Sequence, residues 1–255
     1  MRAERITDRA DPRLAPYRDL RDAGLAVRRG LFVAEGRPVV RRLLAGSRFR
    51  AHSVLATEPM VETLCDVVDG APLYVVDEAT IRSVVGFAFH RGCLALGERG
   101  VPGSLAPLLA GRRLLVLERV TNPDNIGAMF RNAAALGADG VLLSPGCGDP
   151  LYRKAVRVSM GAALHVPFAT STDWPGDLHR FRARGFTLLA LTPHGDVDVA
   201  SIAPERVAVV LGAEGDGVSA AVRTMADACV AIPMAPGDHS LNVAVACAIA
   251  LHRLR

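Results

Sequence analysis

The stretch ERVTNPDNIGAMFRNAA, residues 118–134, begins at the end of an apolar strand and runs into a helix rich in small residues. The preceding LLVLE (114–118) has the unbroken apolar run of a strand that is buried on both faces. The helical pattern continues over 126–136, and Gly137 is the kind of residue that ends a helix. The stretch therefore predicts a strand, a polar loop and a helix in direct succession.

The same alternation continues to the end of the chain. Further strands are predicted at 140–144, 165–169, 186–192, 207–212 and 228–234, and helices at 151–163, 175–184, 219–226 and 240–254. Apolar runs without a two-residue alternation indicate strands that helices cover on both sides. We therefore expect an α/β domain with a mostly parallel sheet.

A linker separates this region from the first hundred residues. GERGVPGSLAP (97–107) contains three glycines and two prolines and has no apolar period, which places a domain boundary near residue 103. We expect domains at 1–102 and 112–255, joined by 103–111. In the first of them, strands at 31–36, 53–57, 72–76 and 93–97 and helices at 18–29 and 38–44 indicate a small α/β module.

Composition excludes several classes of protein. Half of the 255 residues are hydrophobic, which is ample for a core and excludes a disordered chain. The apolar run at 243–251 is too short to cross a bilayer, and charges occupy residues 1–13, where a signal peptide needs an apolar core. We expect a cytoplasmic protein without a membrane partner.

Neither a metal site nor a disulfide framework is predicted. The five cysteines are scattered and include no CxxC pair, and the seven histidines are dispersed along the chain. We expect buried free thiols and no bound metal.

Positive charge is concentrated at the start of the chain. Residues 1–50 contain thirteen arginines and six acidic residues, whereas the formal net charge of the whole chain is only +4. This asymmetry indicates an acidic partner for the N-terminal part, most often nucleic acid. A coding bias is the alternative, because Lys154 is the only lysine, but bias does not explain why the surplus lies in one fifth of the chain.

Carboxamide side chains are confined to two segments. The chain has four asparagines and no glutamine, and three of the asparagines lie within 118–134. Asp124 or Asn125 is placed to cap the helix there, and Arg131 is expected to share a face with small residues, which lets a ligand or backbone approach. An ordinary capped helix with a solvated arginine is the alternative.

Two more loops follow predicted strands. VLGAEGDGVS (210–219) surrounds Glu214 with glycines but matches neither GxGxxG nor a P-loop. IPMAPGDHSLN (232–242) leads into the last helix, with Ser240 and Asn242 expected in its first turn, where side chains and free amides bind polar groups. The plainer alternatives are a solvated acid at Glu214 and a simple N-cap at Ser240.

Together and in this order, the three stretches resemble the motifs of the SpoU (TrmH-type) RNA ribose 2′-O-methyltransferases of the SPOUT superfamily. The first has the family's N-x-G-x-x-x-R-x-A form as Asn125, Gly127, Arg131 and Ala133. The second is similar to a strand–G-x-E-G-x-G loop and the third to an I-P-M…S-L-N-V-x-V-A-x-A-I stretch. RKAVRVSMGA (153–162) is also similar to a family segment.

The N-terminal part has a weaker resemblance, to the ribosomal-protein-like RNA-binding domain that precedes the catalytic domain in ribosomal-RNA members. LFVAEGRPVVRRLL (31–44) and FHRGCLALGERG (89–100) carry it. The resemblance implies an RNA substrate-binding domain at 1–102 and a catalytic domain at 112–255. The positive surplus in residues 1–50 fits this implication independently.

The resemblance implies S-adenosylmethionine as cofactor, S-adenosylhomocysteine as product, a deep C-terminal trefoil knot and a homodimer formed through the C-terminal domain. Matched to this sequence, the implied cofactor-binding residues are Leu211, Gly212, Glu214, Gly215, Ile232, Met234, Ser240, Leu241 and Asn242. The implied catalytic residues are Arg131, Asn125, Glu214, Ser240 and Asn242, with Arg131 as the principal one.

The implied reaction is attack of a ribose 2′-hydroxyl on a methyl sulfonium. The donor is already activated, so no metal is needed, and the target hydroxyl excludes DNA. An arginine stays protonated, so we expect Arg131 to stabilise charge and position phosphate rather than to remove a proton. The arginines expected to bind RNA are Arg18, Arg21, Arg28, Arg29, Arg41, Arg42 and Arg157.

Ribosomal RNA is the favoured substrate, because minimal tRNA members of the family usually lack the N-terminal module. A tRNA 2′-O-methyltransferase and a resistance-type enzyme that protects ribosomes from an antibiotic remain open. So does a noncatalytic RNA-binding or ribosome-assembly factor with this fold, although such a factor does not need the five catalytic residues together. A small-molecule methyltransferase leaves the basic N-terminal region unexplained.

Overall fold

The computed structural model describes residues 3–18, 20, 23–87, 89–235 and 240–254. Contacts divide the chain into two compact units, each with its own sheet. The first unit comprises the chain up to residue 101 together with 151–165, and the second comprises 102–150 together with the chain from residue 166 onward. Within the part described, no helix is long and apolar enough to span a membrane.

The first unit is a mixed five-stranded sheet with short helices. Its elements are β1 (Ala3–Arg5), α1 (Ala23–Arg28), β2 (Leu31–Glu35), α2 (Arg37–Leu44), β3 (Ala51–Ala56), α3 (Glu58–Val61), β4 (Leu73–Val75), α4 (Glu78–Val85) and β5 (Cys93–Glu98), with a 3₁₀ turn at Pro12–Tyr17. The strand order is β1-β4-β3-β5-β2, and β5 runs antiparallel to both β2 and β3.

The chain from residue 102 onward alternates strands and helices. Its elements are α5 (Ala106–Ala110), β6 (Arg113–Glu118), α6 (Pro123–Leu136), β7 (Gly140–Leu143), α7 (Arg153–Val158), β8 (Phe168–Thr170), α8 (Asp177–Arg182), β9 (Thr187–Leu191), β10 (Val197–Asp198), β11 (Val207–Gly212), α9 (Ala220–Met225), β12 (Ala228–Ala231) and α10 (Val243–Arg253). All but α7 belong to the second unit. Its strands form one parallel sheet in the order β10-β12-β9-β11-β6-β7-β8.

Both faces of this parallel sheet are buried. Leu114 and Val116 of β6 pack in a cluster with Leu178 of α8 and Val222 of α9. Leu115 and its alternate neighbour in β6 point to the opposite face and are also fully buried. On the described strands the α/β architecture with a mostly parallel sheet is therefore confirmed.

A buried carboxylate joins α7 to the first unit. Glu35, at the end of β2, is only 4% exposed, and its Oε2 accepts a hydrogen bond from Arg153 Nη1 at 2.9 Å. Arg157 lies 3.8 Å from the same carboxylate and Arg91 3.4 Å from it. The Arg153 guanidinium also stacks over Phe87, 3.9 Å from the ring centroid. Residues 151–165, which lie between two segments of the second unit in the sequence, thus belong to the first unit.

Several element bounds differ from the sequence predictions. Within the helix predicted at 18–29, the described residues form α1, and a 3₁₀ turn precedes it at Pro12–Tyr17. The helix predicted at 151–163 ends at Val158, because Met160 and Gly161 take left-handed φ values of 54° and 82°. Strands β1 and β10 and helices α3, α4 and α5 were not predicted; α5 lies inside the expected linker 103–111.

We predict that Glu35→Gln destabilises the protein by about 2 kcal/mol, because three guanidinium groups lose their buried counter-charge. The value is smaller than for a fully buried pair, since Arg91 and Arg153 still reach solvent. Urea unfolding measures the change. Glu78→Gln, which breaks an exposed pair with Arg82 on α4, is the matched control and should cost only a fraction of that. Equal losses would contradict the structural role of Glu35.

Candidate functional site

The central strands β6 and β11 bring two of the predicted motifs to one edge of the sheet. They are parallel neighbours, with Leu117 paired to Leu211 and Glu118 to Gly212. The loops that follow these strands therefore start side by side at the carboxyl edge, where ligands of open α/β sheets usually bind.

Three polar side chains from distant segments meet at this edge. Asn125 in α6 donates from Nδ2 to Oε1 of Glu214 at 2.7 Å. Asn242, which precedes α10, donates from Nδ2 to the same Glu214 oxygen at 3.2 Å and to Asn125 Oδ1 at 3.1 Å. Asn125 is buried, whereas Glu214 and Asn242 are exposed. One carboxylate oxygen thus accepts hydrogen bonds from two carboxamides, one buried and one exposed.

Helices α6 and α10 pack together behind this cluster. Asn132 of α6 donates from Nδ2 to the Ala244 carbonyl at 2.7 Å. Asn125 and Asn132 are seven residues apart, so they lie within about 20° of each other around the helix. Arg131 is about 100° away from Asn132 and is exposed. Its guanidinium has no hydrogen bond or ion pair with the part of the chain that the structure describes. Gly127, expected on its face, is buried.

A second carboxylate joins the end of β6 to the start of α9. Glu118, at the end of β6, is buried and accepts hydrogen bonds from the Ser219 amide at 2.7 Å and from Trp174 Nε1 at 3.2 Å. Ser219 in turn caps α9 with its side chain. Sequence reasoning did not single out Glu118, although an acid at the end of an apolar strand was the available signal.

The glycine loop after β11 is tightly folded. A Cβ atom on Gly212 would lie 2.0 Å from the Gly217 carbonyl, so only glycine fits there. Gly215 has a φ of +89° and open space around it. Backbone amides in this loop can therefore approach a ligand without side chains between them.

The remaining residues predicted for cofactor binding lie around these loops. Leu211 is buried and Ile232 half-buried, whereas Met234 is 37% exposed and Leu241 39% exposed. Ser240 is exposed and precedes α10. Among the predicted site residues that the structure describes, side-chain hydrogen bonds link Asn125, Glu214 and Asn242 to one another.

Two helix starts differ from the predictions. Asn122, not Asp124 or Asn125, caps α6 by accepting a hydrogen bond from the Asp124 amide, because the proline at 123 already has the φ of a first helical residue. Asn242, not Ser240, caps α10 through the Ala244 amide. Asn125 therefore lies inside α6, where its side chain is free to hydrogen-bond across the site.

The cysteines near the site are protonated thiols. Burial raises the pKa of Cys247, in α10, to about 12, and it also raises the pKa of Cys147. Of the others, Cys93 is buried, but Cys65 is exposed, which corrects the expectation that free thiols are buried. The described residues include no group of three or more histidine, cysteine or acidic side chains that is suited to a metal.

Most arginines predicted to bind RNA also make contacts within the first unit. Arg41 forms a two-pronged ion pair with Asp66 at 2.5 and 2.6 Å, which lowers the pKa of that carboxyl. Arg29 donates to the Pro16 carbonyl at 3.1 Å, and Arg42 donates to the Met160 carbonyl. A carbonyl partner leaves the positive charge of an arginine uncompensated.

The other predicted RNA-binding arginines are placed as follows. Arg18 donates to the Arg9 carbonyl, and Arg157 faces Glu35. Arg28 is exposed at the end of α1. Arg21 lies outside the described residues.

The chain belongs to the SpoU rRNA methylase family, a family of RNA methyltransferases, because the family model matches residues 112–252. It is 44% identical over 259 residues to the uncharacterized tRNA/rRNA methyltransferase Rv0881 of Mycobacterium tuberculosis, which covers 97% of this chain and 90% of that one. It is also 32% identical over 188 residues to the 23S rRNA (guanosine-2′-O-)-methyltransferase RlmB of Ralstonia nicotianae, covering 71% of this chain and 76% of that one.

Solved structures agree with this membership. An AdoMet-bound rRNA methyltransferase from Sinorhizobium meliloti superposes with a TM-score of 0.81 at 26% identity, covering 98% of this chain and 97% of that one. The SpoU methyltransferase AviRb from Streptomyces viridochromogenes, in complex with AdoMet, superposes with a TM-score of 0.79 at 25% identity, covering 95% and 96%. The family resemblance and the SPOUT methyltransferase fold expected from the sequence are thus confirmed.

We predict that Asn125→Asp lowers the melting temperature most at alkaline pH. Two carboxylates would then face each other where the amide now donates, so their coupled pKa rises above that of the unfolded chain. The penalty is present above this raised pKa and is relieved as the pH falls through it, when one proton restores the hydrogen bond. At pH 8 we expect a loss of roughly 4 °C, equivalent to about 1–2 kcal/mol in a chain of this size.

Thermal unfolding of the variant and the parent protein between pH 5 and pH 8 measures this difference. Asn125→Ala is the matched control, since it removes the donor without adding a charge, and its deficit should not depend on pH. A deficit of Asn125→Asp that is the same at both ends of the range would show that Glu214 does not face residue 125 in solution.

Proposed function

We propose that the protein transfers a methyl group from S-adenosylmethionine to a ribose 2′-hydroxyl of RNA. Ribosomal RNA is the proposed substrate, and the cytoplasm is the proposed location. The observation that carries the proposal is the hydrogen-bonded cluster of Asn125, Glu214 and Asn242, one residue from each of the three motifs. The relative RlmB is named as a guanosine-2′-O-methyltransferase, and both solved neighbours are named with AdoMet bound.

The residues at the carboxyl edge fit this cofactor. The loop of Gly212 and Gly215 offers backbone amides without side chains, and Met234 and Leu241 offer partly exposed apolar surface. Leu211, Ile232 and the first turn of α10 complete the set that would hold it. When bound, the cofactor supplies a methyl group already activated on a sulfonium. No protein nucleophile or metal is required for such a transfer.

The knot implied by the resemblance is part of this proposal. Support comes from the strand order, in which β11 lies between β6 and β9, and from close backbone approaches beside β12. A Cβ atom on Gly195 would lie 2.4 Å from the Val230 carbonyl carbon, so two backbone segments are in direct contact there.

Glu214 holds the two carboxamides in a fixed orientation. Its Oε1 accepts from both Asn125 and Asn242, which leaves its second oxygen available to a polar group of a ligand. Asn242 also fixes the start of α10. Ser240 is exposed two residues earlier, where its hydroxyl can reach a ligand bound at the same edge.

Arg131 serves to orient the substrate and to stabilise charge. Arginine remains protonated in proteins, so it does not act as a base here. A planar guanidinium can hold a phosphate oxygen and stabilise the negative charge that develops on the attacking hydroxyl. Its exposure on α6 leaves it accessible to RNA.

The active form is a homodimer in which Arg131 completes the site of the partner subunit. Support comes from α10, which is apolar on nearly every face although Val245 is 48% exposed. Partial exposure of Met234 and Leu241 extends this apolar surface. Arg131 lies about 100° around α6 from Asn132, which contacts α10, and its exposure fits a role outside its own subunit.

Ribosomal RNA is favoured over tRNA because the chain includes a complete first unit. Its arginines, concentrated in residues 1–50, suit phosphate contacts that supply affinity. A 2′-hydroxyl is present only in RNA, so DNA is not a substrate.

We predict that the purified protein methylates ribosomal RNA from a strain that lacks the gene. Labelled S-adenosylmethionine is incubated with separated rRNA and tRNA, and the products are digested to nucleosides. A labelled 2′-O-methyl nucleoside in the rRNA fraction is the expected result. Label in tRNA alone would overturn the choice of RNA, and label on a base would overturn the ribose assignment.

Arg131→Lys is the matched variant in this assay. It keeps the charge but loses the planar fork, so we expect kcat to fall about 10²-fold while cofactor binding, measured by calorimetry, stays unchanged. Turnover near that of the parent protein would contradict the role of Arg131. Absence of both transfer and cofactor binding in the parent protein would favour a noncatalytic RNA-binding factor.

Complementation tests the shared site. Arg131→Ala and Asn242→Ala are each expected to be inactive, but a dimer of one copy of each contains one intact site if Arg131 acts on the partner. Random reassociation makes half of the dimers mixed, so about a quarter of the parent activity should return. No recovery, with mixed dimers verified by mass spectrometry, would place Arg131 in its own subunit's site.

A further inference from the structure

Arg119 has a backbone conformation that its side chain disfavours. Only two non-glycine residues in the described segments have a positive φ, Arg119 at 55° and Met160 at 54°. A Cβ atom makes this left-handed region costly, whereas glycine and asparagine adopt it readily. Such strain persists only when the surrounding structure imposes it, and it is concentrated at functional sites.

The segment between β7 and α7 imposes this conformation. The Arg119 amide donates to Ser144 Oγ at 2.9 Å, and the Gly148 amide donates to the Val120 carbonyl at 2.8 Å. A Cβ atom on Gly148 would lie 2.6 Å from the Thr121 carbonyl oxygen, so the two backbones are in close contact. The loop that carries Arg119 is thus held from outside at three consecutive residues.

The same loop leads directly into the site. Arg119 follows Glu118, whose buried carboxylate is bonded to the amide that begins α9. Three residues later Asn122 caps α6, and Asn125 contacts Glu214. Arg119 therefore stands at the carboxyl edge of the sheet, at the entrance of the strand-to-helix loop that carries the first motif.

The side chain of Arg119 does not stabilise the described part of the protein through a polar contact. It is exposed, and it makes no hydrogen bond or ion pair with any described residue. A glycine or asparagine would relieve the strain at no cost in contacts. A guanidinium kept in a strained, rigid loop is instead suited to an anionic group that arrives from outside, because it is preorganised to form a paired hydrogen bond.

We propose that Arg119 binds a phosphate of the RNA substrate next to the reacting ribose. This inference rests on the proposed function, and it adds a substrate-positioning residue to it. RNA is favoured over the carboxylate of the cofactor because the Arg119 side chain is exposed and belongs to the loop that carries the first motif, not to the glycine loop of Gly212 and Gly215.

The test uses Arg119→Gly in the full-length protein. The variant removes the guanidinium and the strain together, so the melting temperature should stay equal or rise while the KM for RNA rises about tenfold and kcat changes less than twofold. Because the variant makes one phosphate contact fewer, the slope of log Kd for RNA against log salt concentration should fall by about one. Arg119→Lys should recover part of the lost affinity.

Two matched variants control for conformation and charge. Arg119→Asn introduces a residue that tolerates the left-handed region, and it should raise the KM for RNA as Arg119→Gly does. Arg184→Asn removes an exposed arginine that precedes β9, at the opposite edge of the parallel sheet, and should leave both KM and the salt slope unchanged.

Three outcomes would overturn the inference: an unchanged KM and salt slope in Arg119→Gly, an equal loss in Arg184→Asn, or a weaker affinity for S-adenosylmethionine with unchanged RNA binding. The last outcome would assign Arg119 to the cofactor carboxylate. RNA binding is measured by filter retention without turnover. A failure of the parent protein to methylate RNA would refute the proposed function but would leave the binding comparison of Arg119 readable.

Discussion

One carboxylate oxygen joins the three motif segments of the second unit. Oε1 of Glu214 accepts hydrogen bonds from two asparagines that are 89 and 28 residues away in the sequence, and it thereby joins a helix, a glycine loop and a helix start. This oxygen helps to orient both amides, and Asn242 is also held by its hydrogen bonds with Asn125 and the Ala244 amide. The carboxyl edge of the sheet therefore carries a hydrogen-bonded polar cluster beside the glycine loop.

The sequence predicts this edge well because apolar runs locate parallel strands reliably. β6, β9 and β11 lie within about two residues of their predicted bounds, since a strand buried on both faces has no polar interruption. Asn125 and Asn242 could also be singled out because the chain has only four asparagines and no glutamine, and Glu214 because glycines surround it. Their convergence is a consequence of the strand order, in which β6 and β11 are neighbours.

Other features were beyond the sequence patterns. Several residues near a helix start can cap it, and only the fold decides that Asn122 and Asn242 do so rather than their neighbours. The strained φ of Arg119 results from contacts with residues 144–148, which no local pattern reports. The contact of α7 with Glu35 is of the same kind, because it joins residues 118 positions apart.

That contact gives the chain an interleaved order of assembly. The polypeptide leaves the first unit at residue 101, builds β6, α6 and β7 of the second, and then returns over 151–165 before resuming the second sheet. During synthesis, Glu35 has no Arg153 to pair with until the first motif has been synthesised, because Arg153 comes later in the sequence. Neither unit is then an independent module that a single cut separates, and the first unit is complete only after β6, α6 and β7 of the second have been synthesised.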